Sequence, residues 1–246
     1  SKRLVKLAKT EEGSSKKYSH AEEEILQNTP FVHLHTHSQY SILQSTSRID
    51  DLVKAAADDK MQALSLTDHA NLMGAFHFIK AIKKHNSDLV EGADQIKPIL
   101  GCELFVCEDH QDRSRRDNGY QIVFIAKNKK GFENLSKMSS IAYTKGFYYV
   151  PRIDKKIVEQ YKSDLIVLTG NLYGEVPSKI LNLGDQQAEE ALQWWSEQFG
   201  NDLYIELMRH GQEDEKRANQ VLIHFAQKHQ IKILATNNSY YTSKAE

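Results

Sequence analysis

Residues 31–69 read FVHLHTHSQYSILQSTSRIDDLVKAAADDKMQALSLTDH, and the histidines in that stretch decide how the rest of the chain is read. His35 and His37 stand two apart at the end of a short apolar run. Two residues is one side-chain period of an extended chain, so both imidazoles point one way and Thr36 the other, which is a chelating geometry. Asp68 and His69 end a second apolar run. Between the two runs Ile49, Leu52, Val53, Ala56 and Ala57 recur at helical spacing. The stretch therefore reads strand, loop, helix, strand, with its imidazoles at strand ends, where α/β folds place their sites.

Outward from there the alternation continues. Apolar runs fall at 31–34, 62–66, 97–106, 121–126, 164–168, 202–207 and 231–235, and helical patterns lie at 74–84, 129–143, 187–199 and 214–229. Strand then helix, repeated, predicts a parallel sheet, and this many units in one domain predict closure into an α/β barrel. Residues 1–30, rich in Lys, Glu and Ser, read as a flexible leader or linker, and 31–246 as one domain cut from a longer chain. The polar stretches 86–95 and 108–119 read as excursions from the barrel. In the second, Arg113, Arg115 and Arg116 interleave with Asp109, Asp112 and Asp117, the pattern of a solvated loop more than of a DNA or partner contact.

Lys+Arg 32 against Asp+Glu 33 leaves a net charge of −1. No global basic field exists to bind nucleic acid nonspecifically, so any DNA is met locally or through neighbouring domains. Cys102 and Cys107, five apart, fit reduced thiols in a cytoplasmic protein better than a disulfide framework or structural zinc. No apolar run reaches membrane-spanning length and no signal-peptide pattern is present.

The words FVHLHTH (31–37), TDH (67–69) and PILGCE (98–103) resemble the first motifs of the polymerase and histidinol phosphatase (PHP) family. AFHFIKAIKKH, AKNKKGFENL, PRID and GEVP narrow the likeness to the PHP form found in α subunits of bacterial replicative DNA polymerase III. The resemblance covers about Phe31 to Tyr241 and implies a distorted seven-stranded (β/α) barrel. It also implies a three-ion cluster held by histidines and carboxylates, able to activate water against phosphoesters.

Carried over residue by residue, His35, His37, His69 and Glu103 fall on metal-ligand positions. Asp68 stands beside them as an orienting or capping residue, and His33 is either a second layer of support or plain core. The other positions depart from the family pattern. Gln44 and Asn238 replace aspartates, Gln121 and Tyr240 replace histidines, and Asn171 replaces a cysteine or histidine. Neutral amides and a phenol are weak donors to a dense cationic cluster, so no trinuclear centre is expected. Two states stay open: a single zinc or manganese ion on His35, His37 and Glu103 with or without His69, and a metal-free pocket in which the replacements hydrogen-bond to the leftover histidines.

Two functions follow from the resemblance. In the first, the chain is the PHP domain of a DNA-directed DNA polymerase III α subunit, itself catalytically inactive, packed against the rest of that subunit and able to dock a proofreading exonuclease. In the second, it is an active metal-dependent phosphoesterase or 3′–5′ proofreading exonuclease. Elsewhere, His77, His224 and His229 read as surface or interhelix residues, Trp194 and Trp195 as a helix's buried stripe, and no nucleophilic triad is visible.

Overall fold

The computed structural model describes residues 31–91 and 93–242. In chain order the elements are α1 (Ile49–Asp58), β1 (Ala63–Leu66), α2 (Ala75–Ser87), β2 (Lys97–Cys107), β3 (Tyr120–Ala126), α3 (Lys129–Thr144), β4 (Arg152–Asp154), α4 (Lys155–Tyr161), β5 (Leu165–Leu168), α5 (Glu175–Asn182), α6 (Asp185–Phe199), β6 (Leu203–Leu207), α7 (Glu213–His229) and β7 (Lys232–Ala235). The leader read at 1–30 lies outside the described residues.

The sheet runs β1-β2-β3-β5-β6-β7, and β4 pairs with the far half of β2. It is curled, and the histidine segment closes it. Ser65 N donates to His33 O and Thr67 N to Thr36 O on one side; His37 N donates to Ser239 O and Ser239 N to His35 O on the other. The run 31–34 forms no regular strand, but with residues 35–37 it is the piece that joins the two edges. A distorted seven-stranded barrel is thus the architecture.

One expectation needs correcting. The sheet is not all parallel: β3 runs antiparallel to both β2 and β5. The cause is the polar stretch 108–119, which supplies no crossover helix, so the chain turns back and pairs with the strand it has just left. Alternation along each strand then separates two faces. Ile122 and Phe124 of β3 join Leu104, Val167 and Ile205 under the outer helices, while Val123 and Ile125 meet Leu168, Leu34 and Leu234 inside the barrel. A third cluster seats α1 and α2 on β1 through Leu52, Val53, Leu64, Leu66, Phe78 and Ile82. β4, α4 and α5 went unpredicted because three to eight residues are too few to show a period. Their starts are fixed locally instead; Asp154 caps α4 by accepting from Ile157 N at 3.1 Å.

Candidate metal centre

The inward face carries the polar residues at one end of the barrel. Glu103, on the inward side of β2, pairs with Val123 across the sheet, and His69 forms an isolated parallel bridge to it just beyond β1. His35 and His37 project from the closing segment. All of His35, His37 and Glu103 are fully buried and His69 nearly so.

Glu103 is the hub. Its Oε2 lies 2.5 Å from His35 Nε2 and 3.3 Å from His37 Nε2, and its Oε1 lies 3.1 Å from His69 Nδ1. Burial alone would raise the Glu103 carboxyl, but the three imidazoles outweigh it and hold the group well below its usual range. His35 has a second carboxylate on its other side: Nδ1 lies 2.9 Å from Glu206 Oε1. Ionised carboxylates only accept, so both ring nitrogens of His35 carry protons when no metal is bound. Burial lowers its pKa, yet Glu206 and Glu103 together push it up to about 10. His37, buried between two other imidazoles with Glu103 only partly offsetting, is lowered instead.

Sequence reasoning missed Glu206. Thr236 Oγ1 also donates to Glu206 Oε1, which fixes the carboxylate behind His35. The signal was present: YIEL (204–207) places one acid inside an apolar strand, on the inward side with Tyr204. The surviving site therefore holds two carboxylates, not the single one expected from Glu103 alone.

The substituted positions divide. Asn238 Oδ1 lies 3.0 Å from His37 Nε2, and Tyr240 OH lies 3.2 Å from His69 Nε2. The Tyr240 ring stacks on His37 at 4.4 Å, and His69 stacks on His37 at 4.3 Å. These two replacements do meet the histidines. Gln121 and Asn171 bond to each other instead, Nδ2 of Asn171 donating to Gln121 Oε1 at 3.0 Å. Gln44 is exposed. Asp68 holds the loop that carries the site, accepting from Ser38 N, Ser38 Oγ and Ser41 Oγ at 2.7 Å each. His33 stays outside the cluster, edge-on to Phe31 with Nδ1 3.5 Å from Ser239 Oγ.

The residues include one group whose donors could hold a metal ion. Ligand atoms of His35, His37 and Glu103 all lie within 4.8 Å of one another. His69 Nδ1 and Glu103 Oε1, though 3.1 Å apart, are misaligned and leave two buried polar atoms without a hydrogen bond. Glu206 behind His35 is the carboxylate–histidine pairing that orients an imidazole toward a metal. Gln121, Asn171 and Asn238 are neutral amides that would bring no compensating charge to an ion.

A family model described as the PHP domain matches residues 33–210. The chain belongs to the PHP family. This PHP domain is 36% identical over 220 residues to the DNA polymerase III subunit alpha of Borreliella burgdorferi, covering 88% of this chain and 18% of that protein. It is 38% identical to that of Aquifex aeolicus, covering 86% and 18%, and 39% identical to that of Treponema pallidum, covering 88% and 18%. The chain thus spans less than a fifth of the length of these relatives. Among solved structures, a Bifidobacterium adolescentis protein assigned as a metal-dependent phosphoesterase superposes with TM-score 0.58 at 13% identity, covering 89% of this chain and 90% of that one. An amidohydrolase of Chromobacterium violaceum with bound sulfate and no metal gives 0.54 at 11%, covering 85% and 87%. Those likenesses establish the fold. No helix of the described residues is long and apolar enough to cross a membrane.

Proposed function

We propose that this PHP domain is a module of a replicative DNA polymerase III α subunit, acting in the cytoplasm, with a hydrolytic centre that has lost its multimetal chemistry and serves as structure. The observation that carries the degenerate site is the Gln121–Asn171 hydrogen bond: two former ligand positions satisfy each other and offer no charge to an ion. Three divalent ions bring about six positive charges, far more than Glu103 and Glu206 offset in a buried pocket. Polymerase chemistry then belongs to other parts of the subunit, DNA is met through neighbouring domains, and a proofreading exonuclease is a candidate partner.

An active phosphoesterase or 3′–5′ exonuclease is the second reading, favoured by His69 Nδ1 and Glu103 Oε1, buried atoms 3.1 Å apart that make no hydrogen bond. Were an ion held by His35, His37 and Glu103, it would supply a Lewis acid and an activated water. Glu206 would fix the His35 ring, and Tyr240 would keep His69 in place.

Elemental analysis of protein purified without chelator, alongside nucleotide release from primed DNA with added manganese or zinc, separates the two. At most one ion per chain and no turnover is the expected result. Two or more ions, with nuclease activity lost in His35→Ala, would overturn it.

A further inference from the structure

Lys155 follows the PRID word (151–154), and Glu175 belongs to the GEVP word (174–177). Both line a cleft of about 650 Å³, with Lys179 beside them and part of loop 108–119 forming the other wall. A cavity of that size suits a small molecule. None of its lining residues belongs to the histidine cluster.

On one side two cations share a single buried carboxylate. Glu175 Oε1 accepts from Lys155 Nζ at 3.0 Å and from Lys179 Nζ at 2.8 Å, while its Oε2 accepts from Trp195 Nε1 at 2.8 Å. Burial alone would raise the Glu175 carboxyl, yet the two ammoniums hold it below its usual range, so it is ionised. One negative charge therefore serves two positive ones. Each ammonium gives Glu175 one N–H and makes no other hydrogen bond among the described residues, which leaves two donors on each. Aromatic faces hold them in place: Lys155 Nζ lies 4.4 Å from the centre of the Trp194 ring, and Lys179 Nζ 6.0 Å from that of Tyr120.

The opposite wall is fixed by Arg152, fully buried, which donates from Nη1 to Asp117 O at 2.8 Å and from Nη2 to Asp112 O at 2.9 Å. On that wall Arg116 pairs with no carboxylate among the described residues; its Nε donates to Asn118 Oδ1 at 3.3 Å. Arg115 and Glu108 form an ion pair and offset each other. The Asp117 carboxylate accepts from Glu108 N at 3.1 Å and Gly119 N at 2.9 Å. Four cations (Arg115, Arg116, Lys155, Lys179) thus line the cleft against three carboxylates (Glu108, Asp117, Glu175). The excess sits on partly buried ammoniums, where solvent screens it less than at an open surface.

We propose that Lys155, Lys179 and Arg116 form a binding site for a phosphate group, separate from the metal centre and independent of the polymerase reading. A phosphate offers enough acceptor oxygens to meet all three cations at once. A small phosphorylated molecule and the 5′ end of a DNA strand both carry that group.

The chain's two tryptophans, Trp194 and Trp195, both touch this network, so their fluorescence reports on it. With chelator present, the protein is titrated with inorganic phosphate, with adenosine 5′-monophosphate, and with one oligodeoxynucleotide bearing either a 5′-phosphate or a 5′-hydroxyl. Saturable one-to-one binding is expected, weakened about tenfold or more in Lys179→Gln and in Arg116→Gln. Binding is expected to be unchanged in Lys54→Gln, which removes an exposed lysine of α1. Arg116→Gln leaves the Glu175 network untouched, so its unfolding midpoint should match that of the unmodified protein and its lost binding is not lost fold. Tighter binding of the monophosphate than of the 5′-phosphorylated oligonucleotide assigns the site to a small molecule, and the reverse order to a DNA end. No saturable binding, a loss shared by Lys54→Gln, full affinity in Arg116→Gln or Lys179→Gln, or equal binding of the two oligonucleotides with none of the monophosphate overturns the site.

Discussion

The two halves of the candidate metal centre differ in charge and burial. The half built from His35, His37, His69, Glu103 and Glu206 carries the charged groups, is closed to solvent and has its ring nitrogens 2.5 to 3.3 Å from carboxylate oxygens. The half built from Gln44, Gln121 and Asn171 is neutral, with one residue exposed and two bonded to each other. Between them Asn238 and Tyr240 turn back toward the histidines. The difference follows from burial. A charged group fixed deep in a barrel cannot be dropped singly without stranding its partner, whereas a ligand near the rim is exchanged at little cost.

The largest effect should come from stranding that partner. Glu206→Ala leaves the second N–H of His35 buried against nothing and should cost about 3–5 kcal/mol in urea unfolding. Asn171→Ala, on the neutral half, should cost about 1 kcal/mol. Equal losses would dissolve the comparison.

Next comes pH. The folded His35 pKa, about 10, lies above the ordinary 6.5, so its contribution is complete below 6.5 and fades as pH rises toward 10. With chelator present, stability should fall over that window by up to ~1.4 kcal/mol per pH unit. Glu103 has the opposite sign: its carboxyl is depressed, so its contribution holds above about pH 4.3 and is lost on further acidification. A stability profile flat from pH 6.5 to 10 would mean that His35 is not held between two carboxylates.

Smaller still, Tyr240→Phe removes the hydroxyl at His69 while keeping the stack on His37, and thermal unfolding should register about 1 kcal/mol. Smallest is Gln44→Ala, expected within about 0.5 kcal/mol because the side chain is exposed. A loss as large as that of Glu206→Ala would place Gln44 functionally inside the buried half.

Much of this was legible in the sequence for an identifiable reason. The spacing of His35 and His37 is a strand period, and the helices at Ile49–Asp58, Lys129–Thr144 and Glu213–His229 carry enough turns to show theirs. What escaped notice was short or non-local. The reversal of β3 depends on what 108–119 lacks, a crossover helix. Glu206 sat unremarked in an apolar run, although an acid on the inward side of a buried strand needs a cationic or hydrogen-bonding partner. Whether Gln121 would face the histidines or Asn171 depended on side-chain geometry across 50 residues of chain, which no local pattern encodes.

The ring closed by residues 33–37 also sets a schedule. His37 and its partner Asn238 are 201 residues apart, so during synthesis the histidine segment leaves the ribosome long before the backbone that completes its pairing exists. At ordinary translation rates of ~5–20 residues per second, that interval is about 10–40 s. Through it, the imidazoles of His33, His35 and His37 stand at an unfinished seam until Ser239 arrives to complete it.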